Sequence, residues 1–172
     1  HQSSQGSGTI TLGASGETVA LASGASQTMA VNTPFFCAVK STQTTGQTDN
    51  VWTKITFDQE AQDSNGTFDL SNDKFTPAVA GKYYLSLIAS GGTSAASSIT
   101  SIAIKIYKNG AEITGVSNTS KVENEMELFT ISTSAIITSD TDDYFEAYLK
   151  IDRSTNTNRI TTAQFLGYKL IE

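Results

Sequence analysis

Large side chains recur at every second position in this chain, and that spacing restricts the fold more than any other feature. Ile102, Ile104 and Ile106 fall on one side of an extended segment, as do Phe145, Ala147, Leu149 and Ile151. A period of two marks a pleated strand, because successive Cβ atoms point to opposite faces. The only helix candidate is residues 121–128 (KVENEMEL), which are short and bounded by β-like sequence. Strands are expected near 35–41, 51–58, 66–70, 82–90, 99–108, 111–116, 126–138, 143–151 and 160–171. Asn65-Gly66 and Asn109-Gly110 are the strongest hairpin signals, since both dipeptides tolerate the positive φ of a tight turn. Many short strands divided by turns predict an all-β, two-sheet sandwich or jelly roll over residues 34–172.

Several of these strands carry large groups on both faces. Tyr83, Leu85 and Leu87 can fill a core, yet Tyr84 and Ile88 point the other way. Phe145, Leu149 and Ile151 face one side while Tyr144 and Tyr148 face the opposite side. A sandwich uses one apolar face per sheet. Burying a large side chain contributes about 1.5–3 kcal/mol, so leaving the second face wet forfeits much of that gain. Tyr84, Ile88, Tyr144 and Tyr148 are therefore expected at a subunit interface, where tyrosine hydroxyls can find partners.

The bulk properties narrow the function. A formal net charge of −6 argues against binding nucleic acid through phosphate neutralisation. No apolar run reaches the ~20 residues of a membrane helix, so no membrane insertion is expected. Residues 1–8 (HQSSQGSG) read as a tag remnant or flexible leader and hold the only histidine, His1, which excludes a His-based catalytic triad. There is no Gly-x-Ser-x-Gly, P-loop or dinucleotide fingerprint. The acidic clusters at 58–63 (DQEAQD) and 140–143 (DTDD) sit in turn-like sequence, where Asp serves local hydrogen bonding. The chain reads as non-enzymatic and without a cofactor. Asp140, Asp142 and Asp143 offer a calcium site as the alternative to a solvated turn, and no Cys/His set suggests zinc. Cys37, beside Phe35, Phe36 and Val39, has no partner for an internal disulfide and reads as a small buried strand residue.

Residues 152–161 (DRSTNTNRIT) form a polar loop between the last two expected strands. Arg153, Asn156, Asn158 and Arg159 suit contacts with carbohydrate hydroxyls or anionic groups, on the rule that loops carry recognition. Trp52 would add a ring to stack on a sugar, or else belongs to the strand core. Upstream, Thr9–Gly16 (TITLGASG) is echoed nine residues on by Thr18–Ala25 (TVALASGA). Each unit sets two aliphatics two apart, which stacked rungs can bury and a single rung cannot. Residues 9–33 are thus expected to form a β-structured shaft or stalk.

Taken in order, the motifs resemble the C1q/TNF-like jelly roll. Trp52–Asp58 (WTKITFD) is similar to its early strand ending in Phe-Asp, and Asn65–Asp69 (NGTFD) to its Asn-x-Gly-x-x-Tyr-Asp region, with Asn and Gly adjacent here. Phe75–Tyr84 (FTPAVAGKYY) resembles the Phe-x-x-Pro-x-x-Gly-x-Tyr-Tyr/Phe signature. Tyr107–Gly110 (YKNG) matches the Lys-Asn-Gly turn, Asp140–Tyr144 sits where Gly-Asp-x-Val is found, and Phe165–Leu170 (FLGYKL) matches the closing strand. Two departures stand out: a long bland loop at 89–101, and no Gly-X-Y period upstream. Instead, residues 8–28 resemble the shaft repeats that precede trimeric tips of bacteriophage fibres, notably of marine phages. These resemblances imply a homotrimer at the end of a shaft, on a virion surface. It would serve as a tail-fibre tip or capsid-decorating fibre, with other virion proteins and a host-surface glycan or protein as partners. The alternatives are a secreted C1q-like lectin of a cellular organism and a purely structural trimerisation cap.

Overall fold

A computed structural model describes residues 33–94 and 98–170, and of 123–125 the backbone alone. It contains twelve strands: β1 (Phe35–Lys40), β2 (Thr44–Gln47), β3 (Thr53–Lys54), β4 (Gln59–Asp63), β5 (Phe68–Asp69), β6 (Lys74–Phe75), β7 (Gly81–Thr93), β8 (Ile99–Lys108), β9 (Ala111–Met126), β10 (Leu128–Ser139), β11 (Phe145–Arg153) and β12 (Asn158–Lys169). They form two antiparallel sheets. Sheet A runs β10-β7-β12-β1-β4 with β2 against β12; sheet B runs β5-β6-β11-β8-β9 with β3 against β11. The all-β jelly-roll sandwich expected from the period-two pattern is the architecture observed.

The alternating residues meet between the sheets as their spacing requires. Tyr83, Leu85 and Leu87 of β7 face Ile102, Ile104 and Ile106 of β8 and Phe145, Leu149 and Ile151 of β11 in one buried cluster. Phe36 of β1 bridges the two layers, stacking on Phe75 at 4.1 Å and meeting Phe165 edge-on at 4.9 Å. Offset and edge-on ring pairs add to area burial. The Tyr83 hydroxyl, carried into the core, donates to the Val79 carbonyl at 2.8 Å, so the buried polar group is satisfied. Burial raises its phenol to about 12. Gly167 lies where β12 crosses the core: a Cβ there would sit 2.4 Å from Leu85 Cδ2 and 2.9 Å from Phe36 Cε1, which leaves no room for a side chain.

Several expectations are corrected. Residues 121–128 are not helical: β9 continues to Met126 and β10 begins at Leu128. The acidic stretch 58–63 is not a turn, because Gln59–Asp63 pairs with β1 at the edge of sheet A. In both cases the charges sit on edge strands, where they discourage pairing with other chains while mimicking turn or helix composition. The 89–101 loop is much shorter than expected, since β7 runs to Thr93 and β8 starts at Ile99. The strand expected at 51–58 shrinks to Thr53–Lys54, and β2 and β6 were not anticipated. Asn65 and Gly66 do adopt positive φ (71° and 65°), yet they connect β4 of sheet A to β5 of sheet B and close no hairpin. Asn109-Gly110 closes the β8–β9 hairpin as expected. Cys37 is half-buried on the outward side of β1; burial raises its thiol, opposed by a hydrogen bond with Gln164. The leader and shaft expectations, apart from Thr33, lie outside the described residues.

Candidate functional site

The outward face of sheet A carries a continuous apolar row. Ile136 of β10 pairs with Tyr84 of β7, Tyr84 with Tyr168 of β12, and Tyr168 with Phe35 of β1. The Tyr84 and Tyr168 rings lie 5.4 Å apart. Ile136 is 63% exposed, Ile88 42% and Phe35 37%. Four residues along, Ile88 aligns with Gln164 and Gln164 with Val39, beside an open depression of about 400 Å³ lined in part by these side chains with Ser90, Thr130 and Thr162. Tyr84 and Ile88 therefore share one surface, as expected. Tyr144 and Tyr148 do not join it, because Tyr148 belongs to β11 and Tyr144 precedes it, in the other sheet. The row's remaining members, Phe35, Ile136 and Tyr168, depend on strand order, which single-strand alternation does not reveal.

The outward face of sheet B is built differently. Tyr148 of β11 lies across from Lys105 of β8 and from Lys54 of β3. Tyr107 and Tyr148 stack at 4.1 Å. Trp52, just before β3, is half-buried and takes the Lys105 ammonium at 4.7 Å and the Lys150 ammonium at 5.4 Å from its ring centroid. Cations over an aromatic face are attracted by the ring quadrupole. Lys54 pairs with Glu146 at 2.6 Å and Lys105 with Glu112, whereas Lys150 has no carboxylate partner among the described residues. Burial raises the Tyr148 phenol, with the negative charge of Glu146 acting in the same direction. Trp52 is thus neither a core residue nor part of the polar loop.

That loop is shorter and more self-contained than expected. β11 runs to Arg153 and β12 starts at Asn158. Arg153 Nη1 donates to the Asn156 carbonyl, and the Arg153 amide donates to Asp49 at 3.0 Å. Asn156 donates to Ser98 Oγ at 3.2 Å, and Arg159 pairs with Glu127 at 2.5 Å. Asn158 is fully buried and donates to the Ile151 carbonyl at 3.2 Å. As a ligand contact Asn158 is corrected: it ties the sandwich end together from inside.

The acidic turn is likewise spent on structure. Asp143, 5% exposed, pairs with Lys108 at 2.6 Å, accepts from Asn109 Nδ2 at 2.7 Å and from the Asp140 amide at 2.5 Å. Burial pushes its carboxyl up, but the hydrogen bonds from Lys108, the Asp140 amide and Asn109 outweigh that and hold it below the ordinary value. Asp140 and Asp142 are exposed. The calcium alternative is corrected to a stapled turn: among the described residues no three His, Cys, Asp or Glu side chains converge as ligands.

The C1q domain model matches residues 35–170, and the chain belongs to the C1q-domain family. C1q domains are generally non-enzymatic, typically trimeric and usually extracellular or secreted. Among solved structures, the globular domain of zebrafish complement 1qA protein is similar, with a TM-score of 0.56 and 17% identity, covering 81% of this chain and 98% of that one. No curated protein sequence matches the chain. Among the described residues no helix is long and apolar enough to cross a membrane.

Proposed function

We propose that the chain is a non-enzymatic homotrimeric module whose threefold contact uses the outward face of sheet A. The observation that carries this reading is the row Phe35–Tyr168–Tyr84–Ile136, with Ile88 beside it, on a face that the core does not need. An exposed contiguous apolar surface of this kind is characteristic of a subunit interface, and it agrees with the usual assembly of C1q domains. The interface takes Tyr84 and Ile88 and leaves Tyr144 and Tyr148 outside it. A trimer would present three copies of any ligand site at once and so gain avidity. Light scattering at micromolar concentration tests this: a mass near three times 18.2 kDa is expected, and a monomer overturns it.

The finer placement is a bacteriophage fibre, either a tail-fibre tip or a capsid-decorating fibre. It rests on the resemblance of residues 8–28 to fibre shafts. A secreted C1q-like lectin of a cellular organism agrees equally well with the family. Neighbouring virion genes would favour the fibre, and a cellular gene neighbourhood would favour the lectin.

A further inference from the structure

We propose that the outward face of sheet B, around Trp52, Tyr107, Tyr148 and Lys150, binds an acidic saccharide, one carrying carboxylate or sulfate groups. The proposal deepens the recognition reading above by naming a ligand class and a place. The site lies within one protomer, however, so it stands or falls separately from the trimer.

Three observations point to this surface. First, three aromatic rings lie on the solvent side of a sheet whose core is already filled by Ile102, Ile104, Ile106, Phe145 and Leu149. Core packing gives no reason for them. The Tyr107 and Tyr148 rings stack on each other, so the ring face turned away from that stack, with the indole on the same side of the sheet, is what the C–H face of a pyranose would meet; its weakly positive hydrogens favour an electron-rich ring. Second, two ammonium groups already occupy positions over the indole, so this ring is an established acceptor of electropositive groups. Third, the charge is arranged for an anion. Lys54 and Lys105 are neutralised by Glu146 and Glu112, but Lys150 has no carboxylate partner among the described residues. In a chain of net charge −6 this local cation sets where an acidic ligand can approach. Lysine is a mobile point charge; Lys150 would turn from the indole to the ligand's acid, while Lys105 keeps its place over the ring. Aromatic side chains on the outward face of a sheet favour a sugar ring over an extended peptide, which needs a groove or an open strand edge for its main chain.

Trp52 is the single tryptophan of the chain, so its emission reports on this surface directly. The full chain is titrated with heparin-derived oligosaccharide (sulfated) and with oligogalacturonate (carboxylated), using dextran as the neutral control. A saturating change in emission is expected with at least one acidic sugar and not with dextran, weakening as salt is raised. Lys150→Gln should raise the apparent Kd about tenfold or more, which is the loss of one charge-assisted contact. Because Lys150 is only half-buried, this variant should fold. Arg153→Gln and Arg159→Gln, in the stapled loop, should leave the titration unchanged. No emission change at millimolar sugar overturns the proposal. So does equal binding by Lys150→Gln, or binding of poly-glutamate as tight as that of the sugars. A trimer that fails to bind refutes the site alone, and a monomer that binds refutes the assembly alone.

Discussion

Asp69 shows how a single exposed carboxylate organises a tight connection. It lies at the end of β5, and its Oδ1 accepts from the Ser71 hydroxyl at 2.6 Å, the Ser71 amide at 2.9 Å and the Asn72 amide at 3.1 Å. Its Oδ2 accepts from Asn72 Nδ2 at 2.7 Å. The Ser71 hydroxyl and then the Asn72 amide group hold its carboxyl down to about 2. A folded-state pKa below the unfolded value stabilises the fold at pH above the unfolded value, and that contribution disappears as pH falls through the folded value. Asp69→Asn should therefore lower Tm at neutral pH, and the difference from the native chain should close as pH drops from about 3.8 towards about 2. Thermal melts across that range measure it; a constant difference would mean the hydrogen bonds act without the charge. Turn-favouring composition pointed to Asp140–Asp143 for the right local reason, whereas Asp69 fell inside the strand expected at 66–70 and the acids of 58–63 belong to a strand. Trp52 was not legible in the same way, because its partners Lys105 and Lys150 come from strands about fifty and a hundred residues away in sequence.

Among the elements, the β8–β9 hairpin was read correctly and does more than turn the chain. Asn109 and Gly110 have φ of 54° and 74°, the paired positive values that suit a right-twisted hairpin. Asn109 also accepts from the Tyr144 amide at 2.9 Å and donates to Asp143 at 2.7 Å, so it fastens the hairpin to the start of β11. Asn109→Ala removes both bonds, leaves the 5%-exposed Asp143 with one partner fewer, and places Ala at positive φ. A loss of about 2–4 kcal/mol is expected from chemical denaturation, whereas Asn109→Gly, which keeps the turn, should lose less. Strands with strict alternation (β7, β8, β11) were legible because one face is buried and the other is not. The two-residue strands β3, β5 and β6 were not, since a pairing that short leaves no periodicity and is set by neighbours in the sheet. Edge strands β4 and β9 misled for the opposite reason: their charges serve the edge and hide the period.

At the scale of the molecule, the two outward faces differ in composition, where the alternation alone had suggested a single apolar surplus. The alternation showed that Tyr84, Ile88, Tyr144 and Tyr148 lie outside the core, but only strand order separates them onto sheets A and B. Sheet A gathers exposed aliphatic groups with no accompanying lysines in its central row, whereas sheet B mixes aromatics with cations. The first composition fits a dry contact between copies, and the second fits a wet contact with a polar ligand. If copies associate through sheet A, folding is linked to assembly, and the thermal midpoint of the native chain should rise with protein concentration. Ile136→Glu and Ile88→Glu place a charge on side chains that are 63% and 42% exposed in the isolated protomer, so each variant should still fold. A charge buried without a partner in the assembly costs several kcal/mol, which exceeds what a rim position supplies. Both variants should therefore sediment as monomers, and their midpoints should lose the concentration dependence while the Trp52 titration persists. Trimers that survive both substitutions would place the threefold contact elsewhere on the sandwich.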